Sequence, residues 1–158
     1  MGHIELISHI AAPAERCFDL SRDIGLHQQS MHSSKEIAVA GVTAGLIGPN
    51  EFVTWEARHF GIHWRMTSRI TAFDRPRLFV DESNEGPFAS FRHEHRFESR
   101  DITTTMRDIV DFRLPFGLIG RLADLLVATP YLRRLLRLRN LLIRSMAEGS
   151  SGAAGELG

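Results

Sequence analysis

With 158 residues and an apolar fraction of 43%, the chain suits one globular domain with a sizeable core and leaves little room for two. Nineteen basic and nineteen acidic residues cancel with histidine neutral, which excludes a general attraction to nucleic acid or to anionic lipid. A lone Cys17 excludes an intramolecular disulfide and a thiolate metal cluster. It favours a reducing compartment, and with neither a leader-like N-terminus nor a membrane-spanning run the expected location is cytoplasmic.

His3 to Ile10 alternates Ile4, Leu6 and Ser8 against Glu5, Ile7 and His9, the period of a first strand. Pro13 is placed to open a short helix carrying Ala14, Cys17, Phe18 and Leu20, and Ser21 or Asp23 is placed to cap a second one through Ile24, Leu26 and Met31. Lys35 to Ala40 reads as a short strand, followed by a segment punctuated by Gly41, Gly45 and Gly48. From Glu51 the chain becomes an antiparallel meander over 51–59, 62–72, 78–83, 88–98 and 103–112. Its turn signals are Phe60-Gly61, Asp74-Arg75-Pro76 and Asn84-Glu85-Gly86-Pro87. Leu118 to Met146 carries leucine at helical spacing, and Pro130 should kink or divide that helix. Residues 1–148 thus form the domain, and 149–158, rich in Gly, Ala and Ser, read as a disordered tail or an expression remnant.

The segment Phe91-Arg92-His93-Glu94-His95-Arg96-Phe97 says most about function. In a strand, Phe91, His93, His95 and Phe97 share one face, while Arg92, Glu94 and Arg96 form the solvent face. Two imidazoles then stand where a purely structural sheet would place Val or Ile. Setting core-type residues opposite one another across the last hairpin pairs Phe97 with Thr104, His95 with Met106, His93 with Asp108 and Phe91 with Val110. The turn at Arg75-Pro76 likewise sets Phe79 near Ala72, Asp81 near Ile70 and Ser83 near Ser68. Three readings stay open for this polar group: a satisfied hydrogen-bond network, a set of groups that orients a ligand, or an acid–base pair.

The order of strand, two short helices, curved antiparallel run and long C-terminal helix resembles the helix-grip fold of the START, Bet v 1 and polyketide cyclase (SRPBCC) superfamily. The likeness covers about Ile4 to Met146. It is sharpest in Gly45-Leu46-Ile47-Gly48, in Val53 to Gly61 (VTWEARHFG) and in Thr67 to Pro76 (TSRITAFDRP), which look like a bacterial ligand-binding subfamily. The resemblance implies an α+β fold in which a sheet of six to seven strands wraps the long helix. It also implies a hydrophobic cavity between them for a lipid, polyketide or similar molecule, and it implies no particular reaction. The three glycines stand where plant members carry a glycine-rich loop, but their spacing departs from that pattern.

The expected ligand-binding residues are Trp55, Trp64, Met66, Phe79, Asp81, Phe91, His93, His95, Met106, Asp108 and Phe112, apolar walls with a few placed polar groups. The enzyme alternative is a cyclase, dehydratase or isomerase in which His93 paired with Asp108 moves a proton beside a ligand carbonyl. No cofactor is expected, and no metal, because Glu94 between the histidines points outward and no cysteine completes a zinc set. A hydrolase elbow, a phosphate loop and a dinucleotide fingerprint are all missing from the sequence. Between Leu114 and Ala147 stand six arginines against Asp124 alone. That helix is expected to pack Leu132, Leu135, Leu136, Leu142, Ile143 and Met146 inward, leaving Arg133, Arg134, Arg137 and Arg139 as a peripheral membrane or partner contact.

Overall fold

The computed structural model describes residues 1–115 and 117–149. Strand β1 (Gly2–Ile10) leads into α1 (Ala14–Ser21), α2 (Ile24–Ser30) and a 3-10 turn (His32–Ser34). Six strands follow: β2 (Ile37–Gly41), β3 (Phe52–His59), β4 (Ile62–Asp74), β5 (Leu78–Glu85), β6 (Ser90–Arg100) and β7 (Thr103–Arg113). They form one antiparallel sheet in the order β1-β7-β6-β5-β4-β3-β2. The C-terminal segment is α3 (Gly117–Ala123), a π-helical turn (Asp124–Ala128) and α4 (Thr129–Gly149). Pro130 lies in the first turn of α4, where a missing amide proton is tolerated, so the division expected there falls just before it. The tail expected over 149–158 lies outside the described residues from 150 onward.

Pro13 precedes α1 with φ −61°, and of the two capping residues considered for α2 it is Asp23 that acts, its side chain accepting from the Leu26 amide at 3.0 Å. Ser21 instead donates to the Cys17 carbonyl within its own helix. The glycine-punctuated loop is a structural brace: the Ile24 amide donates to the Gly45 carbonyl and the Ile47 amide to the Arg22 carbonyl. Gly45 supplies the positive φ that this path requires. An acid, Glu51, takes the Gly48 amide at 2.6 Å, which does not suit a phosphate cradle.

Phe18 of α1 plugs one end of the fold, edge-on to Phe73, Phe79 and Phe97 at ring distances of 5.2–5.4 Å. Helix α4 packs on β1, α1 and α2 and buries Leu135, Leu136, Ile143 and Ala147. Met146, expected on that stripe, is 45% exposed, because the buried position one residue later is filled by Ala147. Ala147 in turn packs tightly enough for Arg16 to bond its carbonyl.

Two register expectations need correction. The β6–β7 loop holds two residues, Asp101 and Ile102, so Arg100 pairs with Thr103 and the ladder is offset by two from the expected one. His95 faces Asp108, His93 faces Val110, Phe97 faces Met106 and Phe91 faces Phe112. A shift of two preserves the face of every side chain. On β4–β5 the pairing Ile70–Asp81 holds, but an irregularity between Ile70 and Ala72 moves Phe79 opposite Phe73, and another between Thr67 and Arg69 interrupts the stretch around Ser83. Glu94 is also not a solvent residue: it is 5% exposed, pinned under Arg92 and Arg96, whose guanidiniums cover it.

Candidate functional site

Between the concave face of the sheet and α4 lies a pocket of about 400 Å³. Its walls are largely apolar, from Ile24, Ile47, Val53, Met66, Leu135 and Leu136, and they meet polar groups at one end. The structure places Trp55, Trp64, Met66, Phe79, Asp81, Phe91, His93 and His95 on this wall. It places Met106, Asp108 and Phe112 behind it, each fully buried. Met106 joins the Phe18 cluster, and Phe112 packs against Phe88, with Gly2 leaving room that a Cβ would fill. Asp108 does not touch the pocket because the register sets it beside His95, under both imidazoles.

Two adjacent rungs of the sheet build the polar end. One runs Ile70–Asp81–His93–Val110 and the next runs Phe73–Phe79–His95–Asp108–Leu6. His93 and His95, two apart on β6, stack with ring centres 3.7 Å apart, and Phe79 stacks on His95 at 4.1 Å. His93 Nε2 lies 2.9 Å from Asp108 Oδ1. His95 Nδ1 is also 2.9 Å from that oxygen, though off the line of a well-formed hydrogen bond. On the far side, His95 Nε2 stands 3.7 Å from Asp81 Oδ2.

Helix α4 contributes two groups that sequence reasoning missed inside the fold. Asn140 Nδ2 donates to Asp108 Oδ2 at 2.7 Å, and Arg139, 4% exposed, donates from Nη2 to the Ser21 carbonyl at 2.6 Å while its Nη1 stands 3.6 Å from Asp108 Oδ1. Arg139 therefore leaves the set of arginines expected to face a membrane. Its signal was present in the spacing, since it stands four residues after Leu135 and three after Leu136, on the buried stripe. Of the remaining three, Arg134 and Arg137 are exposed and Arg133 is half-buried.

Electrostatics follow from this packing. Burial would raise the Asp108 carboxyl, but the contacts from His93 and His95 overcome it and hold the group well below the usual carboxylate range. Asp81 is also lowered: burial opposes ionisation, and the neighbouring His95, His93 and Arg139 outweigh it. Its side chain is 23% exposed, and as a pocket-lining residue it offers that surface to the pocket. Burial, reinforced by His95, pushes His93 down to about 4 against the pull of both carboxylates, so its imidazole is neutral at pH 7.

At the other end the pocket reaches solvent. His59 Nδ1 and the Tyr131 hydroxyl are 2.7 Å apart, and the Phe60 ring lies 4.7 Å from that of Tyr131, joining the β3–β4 turn to α4. Phe60 and Val127 line the pocket while 64% and 49% exposed. The α3 and π-helical segment beside them carries exposed Leu118, Ile119, Leu122 and Leu126.

A curved seven-stranded antiparallel sheet gripping a long C-terminal helix is the helix-grip architecture. The chain belongs to the family described as polyketide cyclase / dehydrase and lipid transport, whose model matches residues 1–142. Several solved structures share the fold. The protein TTHA0849 from Thermus thermophilus is 18% identical with a TM-score of 0.71, covering 92% of this chain and 99% of its own. A START superfamily protein from Mycobacterium smegmatis is 13% identical with a TM-score of 0.70, at 92% and 99% coverage. The Zhui aromatase/cyclase from Streptomyces sp. R1128 is 19% identical with a TM-score of 0.67, covering 97% of each chain. A sequence search of curated proteins finds no match. No helix among the described residues is long and apolar enough to cross a membrane.

Proposed function

We propose that this protein binds a hydrophobic or amphipathic small molecule, such as a lipid or polyketide, in the pocket between sheet and α4. The observation that carries this reading is the division of the pocket: aliphatic and aromatic walls that gain by burying apolar surface, and one end where Asp81 and His93 are open to an occupant. Asp81, ionised and with its open side to the pocket, accepts a hydroxyl or ammonium hydrogen. Neutral His93 offers a second polar contact. Membership of a family named for cyclases and lipid transport supports this class of ligand.

The enzyme reading rests on the ring of His93, which reaches the pocket wall while bonded to Asp108. Its lowered pKa makes it a weak base and a poor reservoir of protons at pH 7, so binding is the reading we favour over cyclase or dehydratase chemistry.

Native mass spectrometry of the purified protein, followed by a thermal-shift screen of fatty acids, sterols and aromatic polyketides, tests the proposal. A co-purifying apolar metabolite or a saturable rise in Tm supports it. Absence of both, with apolar dye failing to enter the pocket, overturns it.

A further inference from the structure

We propose that Asp81, His93 and His95 form a binding site for a divalent first-row transition-metal ion at the closed end of the pocket. One ring nitrogen from each imidazole and one carboxylate oxygen of Asp81 already lie within 4.8 Å of one another. The outward Glu94 that argued against a metal in the sequence is not needed, because sheet pairing brings an acid from the neighbouring strand: Asp81 sits directly opposite His93.

The spacing fits an ion better than it fits a hydrogen bond. His95 Nε2 and Asp81 Oδ2 are 3.7 Å apart, beyond a good hydrogen bond. Two ligands each about 2.1 Å from a common ion at a tetrahedral angle stand about 3.4 Å apart. The His93 nitrogen, within 4.8 Å of the other two ligand atoms, must move closer to enter the same sphere, a rearrangement that the free energy of metal binding can drive.

The surroundings supply what metal-binding histidines need. Asp108 Oδ1 receives His93 Nε2 at 2.9 Å and faces His95 Nδ1 at the same distance off the line of a hydrogen bond, so the carboxylate steadies the His93 ring while His95 keeps Nε2 toward Asp81. Asn140 holds the other oxygen of Asp108, which keeps that carboxylate from turning away. Arg139 stands 3.6 Å from Asp108 and also feels the charge of Asp81, so two carboxylates share one guanidinium and a cation is electrostatically welcome. A donor set of two imidazoles and a carboxylate suits Zn²⁺, Fe²⁺, Mn²⁺ or Co²⁺ rather than a hard Ca²⁺ cage. The remaining coordination positions open on the pocket, where a carbonyl or hydroxyl oxygen of an occupant would complete the sphere. The site does not depend on which organic molecule fills the rest of the pocket.

Co²⁺ and Zn²⁺ are the probes. Chelator-treated full-length protein titrated with Co²⁺ should develop visible d–d absorption saturating at one equivalent, bleached by Zn²⁺, and Zn²⁺ should raise Tm. Asp81→Asn and His95→Gln should each weaken Co²⁺ binding by about 100-fold or more, at least the upper range for loss of an outer-shell partner. His63→Ala, a change at an exposed histidine, should leave binding unchanged. Asp81→Asn changes a residue that is partly open to the pocket, so it should stay folded with only a modest fall in metal-free Tm and keep the test valid if His95→Gln fails to fold. No absorption from the folded parent protein, or absorption that persists in Asp81→Asn, overturns the proposal.

Discussion

The two ends of the pocket are made of opposite materials. At the closed end, every polar group stands on a regular element: Asp81 on β5, His93 and His95 on β6, Asp108 on β7, Arg139 and Asn140 on α4. At the mouth, Phe60 occupies a tight turn and Val127 a π-helical turn, with exposed apolar side chains around them. The closed end is positioned by ladder hydrogen bonds and is costly to disturb. The mouth rests on two turns and little buried surface, so the same size of change there should cost less stability.

The largest expected effect breaks the closed end at its centre. Asp108→Ala should destabilise by about 3–5 kcal/mol in chemical denaturation, because it strands His93 and Asn140 without their acceptor and leaves the buried Arg139 without the carboxylate it faces. Asp108→Leu combined with Arg139→Leu should recover about half of that loss or more, since the uncompensated buried charge goes with its partner. If the double variant is as unstable as the single one, Asp108 acts through the histidines alone. The mouth offers no change of comparable size.

Acid should reveal the same asymmetry. His93 has a folded pKa of about 4 against an unfolded 6.5, so between those values the unfolded chain binds the extra proton and stability falls as pH falls. Asp108 and Asp81, both lowered, extend the loss below about pH 3.8, where the unfolded carboxyls protonate first. Denaturant midpoints measured from pH 7 to pH 4 should therefore decline, and His93→Gln should flatten the part of the slope above pH 4. An unchanged slope would mean that His93 is not the group held neutral.

A change aimed at the pocket itself ranks next. Ser68→Trp projects a large ring from the buried wall into the pocket, so it should cost about 1–3 kcal/mol of stability, less than the loss of Asp108. It should reduce binding of whatever apolar ligand the thermal-shift screen identifies by at least about tenfold. Equal binding by parent and variant would move the ligand elsewhere.

How much of this was legible in the sequence differs between the two ends as well. The inward face of Phe91, His93, His95 and Phe97 followed from period-two alternation alone, and an error of two in register could not disturb it. The partner of each histidine did shift, because loop length rather than pattern sets register, and the irregularities in β4 were invisible for the same reason. Arg139 stood on the buried stripe by spacing, but its charge argued for solvent. The Ser21 carbonyl it bonds and the carboxylates on β5 and β7, all distant in sequence, make its burial tolerable. At the mouth the Phe60-Gly61 turn was legible and stands between β3 and β4, whereas the π-helical turn was not, since it carries no periodic signal of its own.

The smallest effect sharpens the comparison most directly, because its sign is reversed. Phe60 adopts a φ of +54°, a conformation that costs a bulky residue roughly 1–2 kcal/mol and that asparagine accepts more readily. Phe60→Asn should therefore stabilise the fold by about 0.5–1 kcal/mol in thermal or chemical denaturation, even though it removes a ring packed on Tyr131. A phenylalanine kept in a strained turn at the rim of an apolar pocket is spending stability on that position. Faster ligand exchange in the stabilised variant would tie the strain to the mouth, and destabilisation would show that the Phe60–Tyr131 contact outweighs the backbone cost.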